Sequence, residues 1–182
     1  MTKPYDLVEH RHRFSVWAAA RAAQRKLKGA TVDLLRDALE HSGVVAFITA
    51  PPSFLDQQLF DERHRAWCQS IVDYLASRGV PASFGRAAKL IAVYLKGTVI
   101  LDSNANPTLA SLAHPPIDAI LLRNISKASV TRHANKRSWQ HIRWTSLTEN
   151  EYYALIKELR TCVPNGEPFW KLEEYWTVTD QE

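Results

Sequence analysis

Along most of the chain apolar residues recur at intervals of three and four, the spacing of amphipathic helices, and sustained alternation is rare. From Leu7 to Lys28 the pattern is helical, with the small-residue run Ala18 to Ala23 permitting close packing and Gly29 placed to end it. Thr31 caps a second helix, Val32 to His41, which Gly43 closes. The run Val44 to Thr49 is β-prone but short and isolated, and Pro51-Pro52 stops it, so it reads as a buried connection. Ser53 and Asp56 suit the entry to an interrupted helix that reaches Gly79. The next helix starts near Ser83 and runs to Lys96, with Ala88, Ile91, Ala92 and Leu95 as its core stripe and Lys89 on the side of Val93 and Lys96.

Residues 98–113 read as a connection, followed by a helix that Asp118 begins after Pro115-Pro116. A basic loop spans roughly Ser126 to Arg143. Ser146-Leu147-Thr148-Glu149 forms a capping box for a helix from Asn150 to Arg160, which Pro164-Asn165-Gly166 ends. The tail from Glu167 to Trp176 is expected to dock by its aromatic residues. The sum is an all-α chain of seven or eight helices in a single domain over residues 1–182.

Composition narrows the class further. With 182 residues, 46% of them hydrophobic and 23% charged, the chain builds a folded core. Cys68 and Cys162 are too few and too distant for a disulfide framework or a cysteine-rich metal site, which points to a reducing compartment. The seven histidines show no metal-ligand spacing, so neither metal nor cofactor is expected. The polar N-terminus lacks the form of a signal peptide and no apolar run is long enough for a bilayer, so a cytoplasmic protein without membrane contact is expected.

Charge is distributed unevenly. The windows 10–32, 74–101 and 119–148 hold six, four and six of the 23 Lys and Arg and none of the 19 Asp and Glu. Converging on one face, they would form a polyanion-binding stripe; apart, they are three solvated surfaces. Arg13, Arg86, Lys96, Arg132, Lys136 and Arg137 are the candidate phosphate contacts.

Two residues suggest chemistry. An aspartate at a helix N-cap accepts backbone N–H bonds and feels the positive end of the helix dipole, so Asp118 stays ionised and suits a developing positive charge. Lys89 sits in the apolar run Ala87 to Leu95, where an amine must be paired, solvated or deprotonated, and a deprotonated amine is a nucleophile. The plainer alternative makes Asp118 only a cap and Lys89 a lysine that reaches water. No phosphate-cradling glycine loop and no Gly-x-Ser-x-Gly elbow occurs.

A helix, a turn beginning Gly79-Val80-Pro81, a second helix carrying Lys89 and then the Pro-x-Asp start at Asp118 resemble the helix-hairpin-helix DNA glycosylases. The likeness covers roughly residues 60–125, with Gly79 to Gly85 as the hairpin. The separation of lysine and aspartate is similar to that of the archaeal 8-oxoguanine branch, and the small size resembles prokaryotic glycosylases implicated in defence against phages with modified bases. The Gly-x-Gly hairpin and the four-cysteine iron–sulfur signature of some members are missing.

The resemblance implies an all-helical monomer that binds double-stranded DNA, flips out a modified or damaged base and cuts its N-glycosidic bond. Asp118 and Lys89 would be catalytic, and Phe14, Trp17, Phe84 and Trp139 would wedge the duplex or stack on the base. Two alternatives stand beside it. One is a non-enzymatic nucleic-acid-binding module; the other is a toxin-type ribonuclease using Arg137 and His141, whose spacing is one residue short of the ribonuclease motif.

Overall fold

The computed structural model describes residues 5–128 and 136–177 of the protein. Among them are nine α-helices and no strand: α1 Leu7–Ala23, α2 Val32–His41, α3 Val44–Thr49, α4 Gln57–Ser77, α5 Phe84–Leu95, α6 Pro107–Leu112, α7 Ala119–Lys127, α8 Lys136–Trp139 and α9 Glu149–Arg160. A π turn, Lys96–Ile100, extends α5, and 3-10 turns occupy Trp144–Ser146 and Phe169–Tyr175. The all-α expectation holds, and the buried side chains from Val16 to Leu172 form one core.

α5 is the axis of that core. Every residue of it except Val93 is buried, because α1, α4, α9 and the Trp144–Ser146 turn pack around it. α1 makes the most extensive of these contacts, offering Val16, Ala19, Ala20 and Ala23 as a buried face. Alanines carry little side-chain bulk, so the two helix backbones approach closely, and each large buried residue of α5, such as Leu90 or Leu95, gains about 1.5–3 kcal/mol by leaving water.

Local chemistry sets most helix starts. Thr31, Asp56, Ser83, Asn106, Asp118 and Thr148 are N-caps whose side chains accept from the first turn of α2, α4, α5, α6, α7 and α9. At the end of α4, Gly79 takes φ 75°, and the Val80 and Gly79 amides close back on the carbonyls of Leu75 and Ala76.

Several expectations need correction. Val44–Thr49 is a short helix with only Val44 buried rather than a buried connection, because Gly43 at φ 88° ends α2 and lets α3 start at once. α4 runs unbroken over 21 residues. Asn106-Pro107, within the expected connection, is a cap followed by a first-position proline, and it starts α6. α1 stops at Ala23 instead of Lys28, since Lys26 turns left-handed at φ 56° and the Arg86 guanidinium takes the freed carbonyls of Ala23 and Arg25 at 2.6 and 2.9 Å. The capping box of α9 pairs Thr148 with Glu151, two residues later than expected, because Trp144 to Leu147 is committed to α5: Ser83 Oγ donates to the Thr145 carbonyl at 2.8 Å and the Gly85 amide to that of Leu147 at 3.0 Å.

The Gly85 amide, spent on the Leu147 carbonyl, is therefore not free for a phosphate. The residue lies inside α5, where an added Cβ would come within 2.1 Å of the Trp144 carbonyl oxygen. Gly79 has no neighbour within 4 Å of its missing Cβ and needs only its left-handed backbone. Gly85→Ala is expected to cost about 2–3 kcal/mol, an overpacking penalty. Gly79→Ala should cost about 1 kcal/mol, the left-handed penalty of an L-residue. Urea unfolding of both variants checks this, and equal small losses would remove the close approach at Gly85.

Candidate active site

The segment Ala113 to Ile117 that leads to Asp118 is buried yet non-helical. Such a segment must satisfy its backbone amides, and Pro115 and Pro116 reduce that demand by having none. α7 then starts with Asp118 as its cap. Oδ1 accepts the amides of Ile120 and Leu121 at 3.0 and 2.9 Å. Oδ2 accepts the Lys89 ammonium and the Trp176 indole N–H, both at 2.8 Å. Lys89 also points at the Pro116 carbonyl, 3.4 Å away. Side-chain exposures of 7% and 15% make Lys89 and Asp118 a largely desolvated ion pair, in which deleting one partner strands the other charge.

Burial opposes the charge on Asp118, but Lys89, the α7 amides and the Trp176 indole outweigh it and hold the carboxyl below the ordinary carboxylate range. Burial lowers the proton affinity of Lys89, and the attraction of Asp118 and Glu173 restores only part of it. The pair lines a mostly apolar cavity of about 480 Å³, with Phe14 and Leu101 at its exposed rim and Trp144 and Trp176 in its walls. Lys96 lies over the Trp176 ring and is ion-paired with Glu173. In the wall, the buried Ser15 hydroxyl has no hydrogen-bond partner among the described residues and packs against Gly97 of the π turn, where a Cβ would meet Ser15 Oγ at 2.2 Å.

Of the residues singled out from sequence, Asp118, Lys89, Lys96 and Phe14 meet at this cavity. Trp17 is exposed beside Phe14, ring centroids 5.9 Å apart, and Arg13 is exposed and paired with Glu9. Arg86 is a correction: its buried guanidinium caps the end of α1 and is not available to a phosphate. Phe84 and Trp139 are also corrected, since both are core residues away from the cavity and the Trp139 indole donates to Glu158. Arg137 and His141 are exposed, while Arg132 and the Lys136 side chain lie outside the described residues. The basic windows are partly neutralised by carboxylates from elsewhere in the chain, as Arg11–Asp102, Lys89–Asp118 and Lys96–Glu173 show.

Trp144, Glu173 and Trp176 are among the cavity residues that sequence reasoning missed. The aromatic-rich tail was a signal for docking but not for where it docks. Among the described residues no cluster of three or more His, Cys, Asp or Glu is placed to hold a metal, and no helix is long and apolar enough to cross a membrane. No family model, curated protein or solved structure matches the chain.

A buried polar network anchors the loop behind Asp118. Asp61 of α4 takes a bidentate bond from Arg160 of α9 at 2.9 and 2.8 Å, and His114 Nε2 lies 3.0 Å from both Asp61 Oδ1 and the Arg160 guanidinium. The other His114 nitrogen shares a hydrogen bond with the Tyr152 hydroxyl at 3.1 Å. Because the Tyr153 hydroxyl donates to the Asp61 carbonyl, His64 Nδ1–H must donate to Tyr153, at 2.9 Å, which leaves its Nε2 facing the Cys68 thiol. The two imidazoles stand 4.5 Å apart, so neither is easily charged.

Burial is the main cause that depresses both histidines below their ordinary value of 6.5; Asp61 partly offsets it, and the cations Arg160 and Arg65 add to it. In the unfolded chain they bind protons near that value, whereas the folded chain resists. Stability is thus full above pH 6.5 and falls as pH drops below it, by up to about 1.4 kcal/mol per pH unit for each histidine. Thermal melts at pH 7.5 and 5 should show this loss, and His64→Gln should flatten it; a melting point independent of pH over that span would contradict the neutral assignment.

Proposed function

We propose that the protein is a DNA glycosylase that binds double-stranded DNA as a monomer, draws a modified or damaged base out of the stack and cuts its bond to the sugar. The Lys89–Asp118 pair at an apolar cavity is the observation that supports this reading most. Cleavage of an N-glycosidic bond develops oxocarbenium charge on the sugar, and a fixed carboxylate in a poorly hydrated site stabilises such charge strongly. The indoles of Trp144 and Trp176 offer faces for stacking, and every base has a face to stack. Phe14 and Trp17, exposed on the turns of α1 that border the rim, suit insertion into the duplex.

In this reading Lys89, once its proton has passed to solvent, attacks the anomeric carbon. A bond from Nζ to that carbon forms while the bond to the base breaks; the base keeps the electron pair and takes a proton from water. The attacking Nζ, now an ammonium, gives one proton to the hydroxide left by that water and the other to the ring oxygen as the sugar ring opens, which leaves a neutral imine. Asp118, with both oxygens already accepting two hydrogen bonds each, serves as a fixed charge rather than as a proton acceptor.

Incubation with a panel of modified-base duplexes, phage DNA included, should yield abasic sites. Asp118→Asn keeps an oxygen for the α7 cap but loses the charge, so helical content should persist while base release falls at least about 100-fold. Borohydride should trap a protein–DNA adduct that Lys89→Gln does not form. Base release without an adduct would leave Lys89 a positioning cation in a monofunctional enzyme, and no release from any duplex would leave a nucleic-acid-binding module in which Asp118 is a cap.

A further inference from the structure

The last described segment of the chain is part of the site. The Phe169–Tyr175 turn is held from below by the buried Phe169 and Leu172, and from the side by Asn124 of α7, whose amide donates to the Tyr175 carbonyl at 2.8 Å. That anchoring sets Trp176 beside the cavity, with the indole N–H on Asp118 Oδ2 at 2.8 Å and the ring beneath Lys96. The three other hydrogen bonds to Asp118 come from the start of its own helix and from α5. The indole is therefore its only described partner from a distant part of the chain that is not itself charged.

We propose that Trp176 is a positioning residue, its indole N–H fixing the orientation and the ionised state of the Asp118 carboxylate. The inference rests on the reading of Asp118 as the charge that faces the sugar. With the α7 amides on one oxygen, the carboxylate plane is set by what binds the other. Lys89 alone is a poor guide, because its ammonium is a point charge on a flexible stem that is also directed at Pro116 O. A rigid indole fixed through Tyr175 is directional. It also adds a donor that does not lose its proton in the working pH range, so Asp118 keeps a partner when Lys89 is deprotonated to attack.

Besides Lys89, the charged groups lining the same cavity are Arg25, Lys96 and Glu173. Lys96 and Glu173 pair with each other, which limits their separate pull on Asp118. The neutral donor thus has an effect that they do not duplicate.

Trp176→Phe keeps an aromatic ring beside Lys96 but removes the N–H together with the pyrrole half of the indole. Carbon-13 NMR of the Asp118 carboxyl in the free protein should show its proton affinity raised roughly tenfold, as expected when one hydrogen bond to a charged group is lost. Trp144→Phe should not move it, because among the described residues the Trp144 indole makes no hydrogen bond to Asp118. The acidic limb of the pH profile for base release should move with the carboxyl titration, with kcat reduced and KM little changed.

A second measurement does not depend on the variant folding. In the wild-type chain the Trp176 indole N–H resonance should follow the Asp118 titration and shift in Asp118→Asn. An unmoved carboxyl titration in folded Trp176→Phe, or an indole resonance blind to Asp118, would overturn the positioning role. If both NMR results are as expected but the wild-type protein releases no base, the contact stands and the glycosylase reading is what fails.

Discussion

The cations of α5 have nowhere to go. A helix surrounded on nearly all sides cannot carry a charged side chain unless another element supplies a partner, since an uncompensated buried charge costs several kcal/mol. Arg86 and Lys89 are both buried in α5, and each has recruited the end of another helix. Arg86 meets the carbonyls where α1 unwinds, at the negative end of that helix dipole. Lys89 meets Asp118, the cap where α7 begins. The exit of α1 and the entry of α7 are thus tied to two cations on the same central helix, and the cavity lies between those elements.

The same logic accounts for what could be seen in the residues alone. Capping is local, so Thr31, Ser83 and Asp118 were legible as helix starts, and the three-and-four spacing marked α5 and its core stripe. Asp118 and Lys89 each stood out because their immediate surroundings were unusual for a charge. Arg86, read as a phosphate contact from its place in an acid-free window, was misassigned, because nothing near it in sequence reveals that the carbonyls of Ala23 and Arg25 lie across from it. The early end of α1 was hidden for the same reason. Trp176 is 58 residues from Asp118 along the chain, and no local rule joins them.

Pairing also reshapes the electrostatics. The acid-free windows suggested a broad positive stripe, but carboxylates from outside the windows reach Arg11, Lys89 and Lys96. Arg21, near the end of α1, and Arg25, Lys26 and Lys28, in the stretch that follows it, remain exposed beyond the turns that carry Phe14 and Trp17. A polyanion approaching here would meet charge beside aromatic surface. Lys96, held by Glu173 at the cavity, exchanges a carboxylate for a phosphate only if that pair opens.

The contact between Ser15 and Gly97 bears on how the chain can vary over time. Side chains at these two positions share one small volume, so neither can grow while the other keeps its size: even alanine at 97 would press on Ser15 Oγ at 2.2 Å and on its Cβ at 2.9 Å. Enlargement at 97 is compatible only with glycine at 15, and the hydroxyl would vanish in the exchange. Across descendants of this sequence the two sites would therefore drift as a pair, and a substitution harmless in one lineage would be excluded from another by the residue already present at its counterpart.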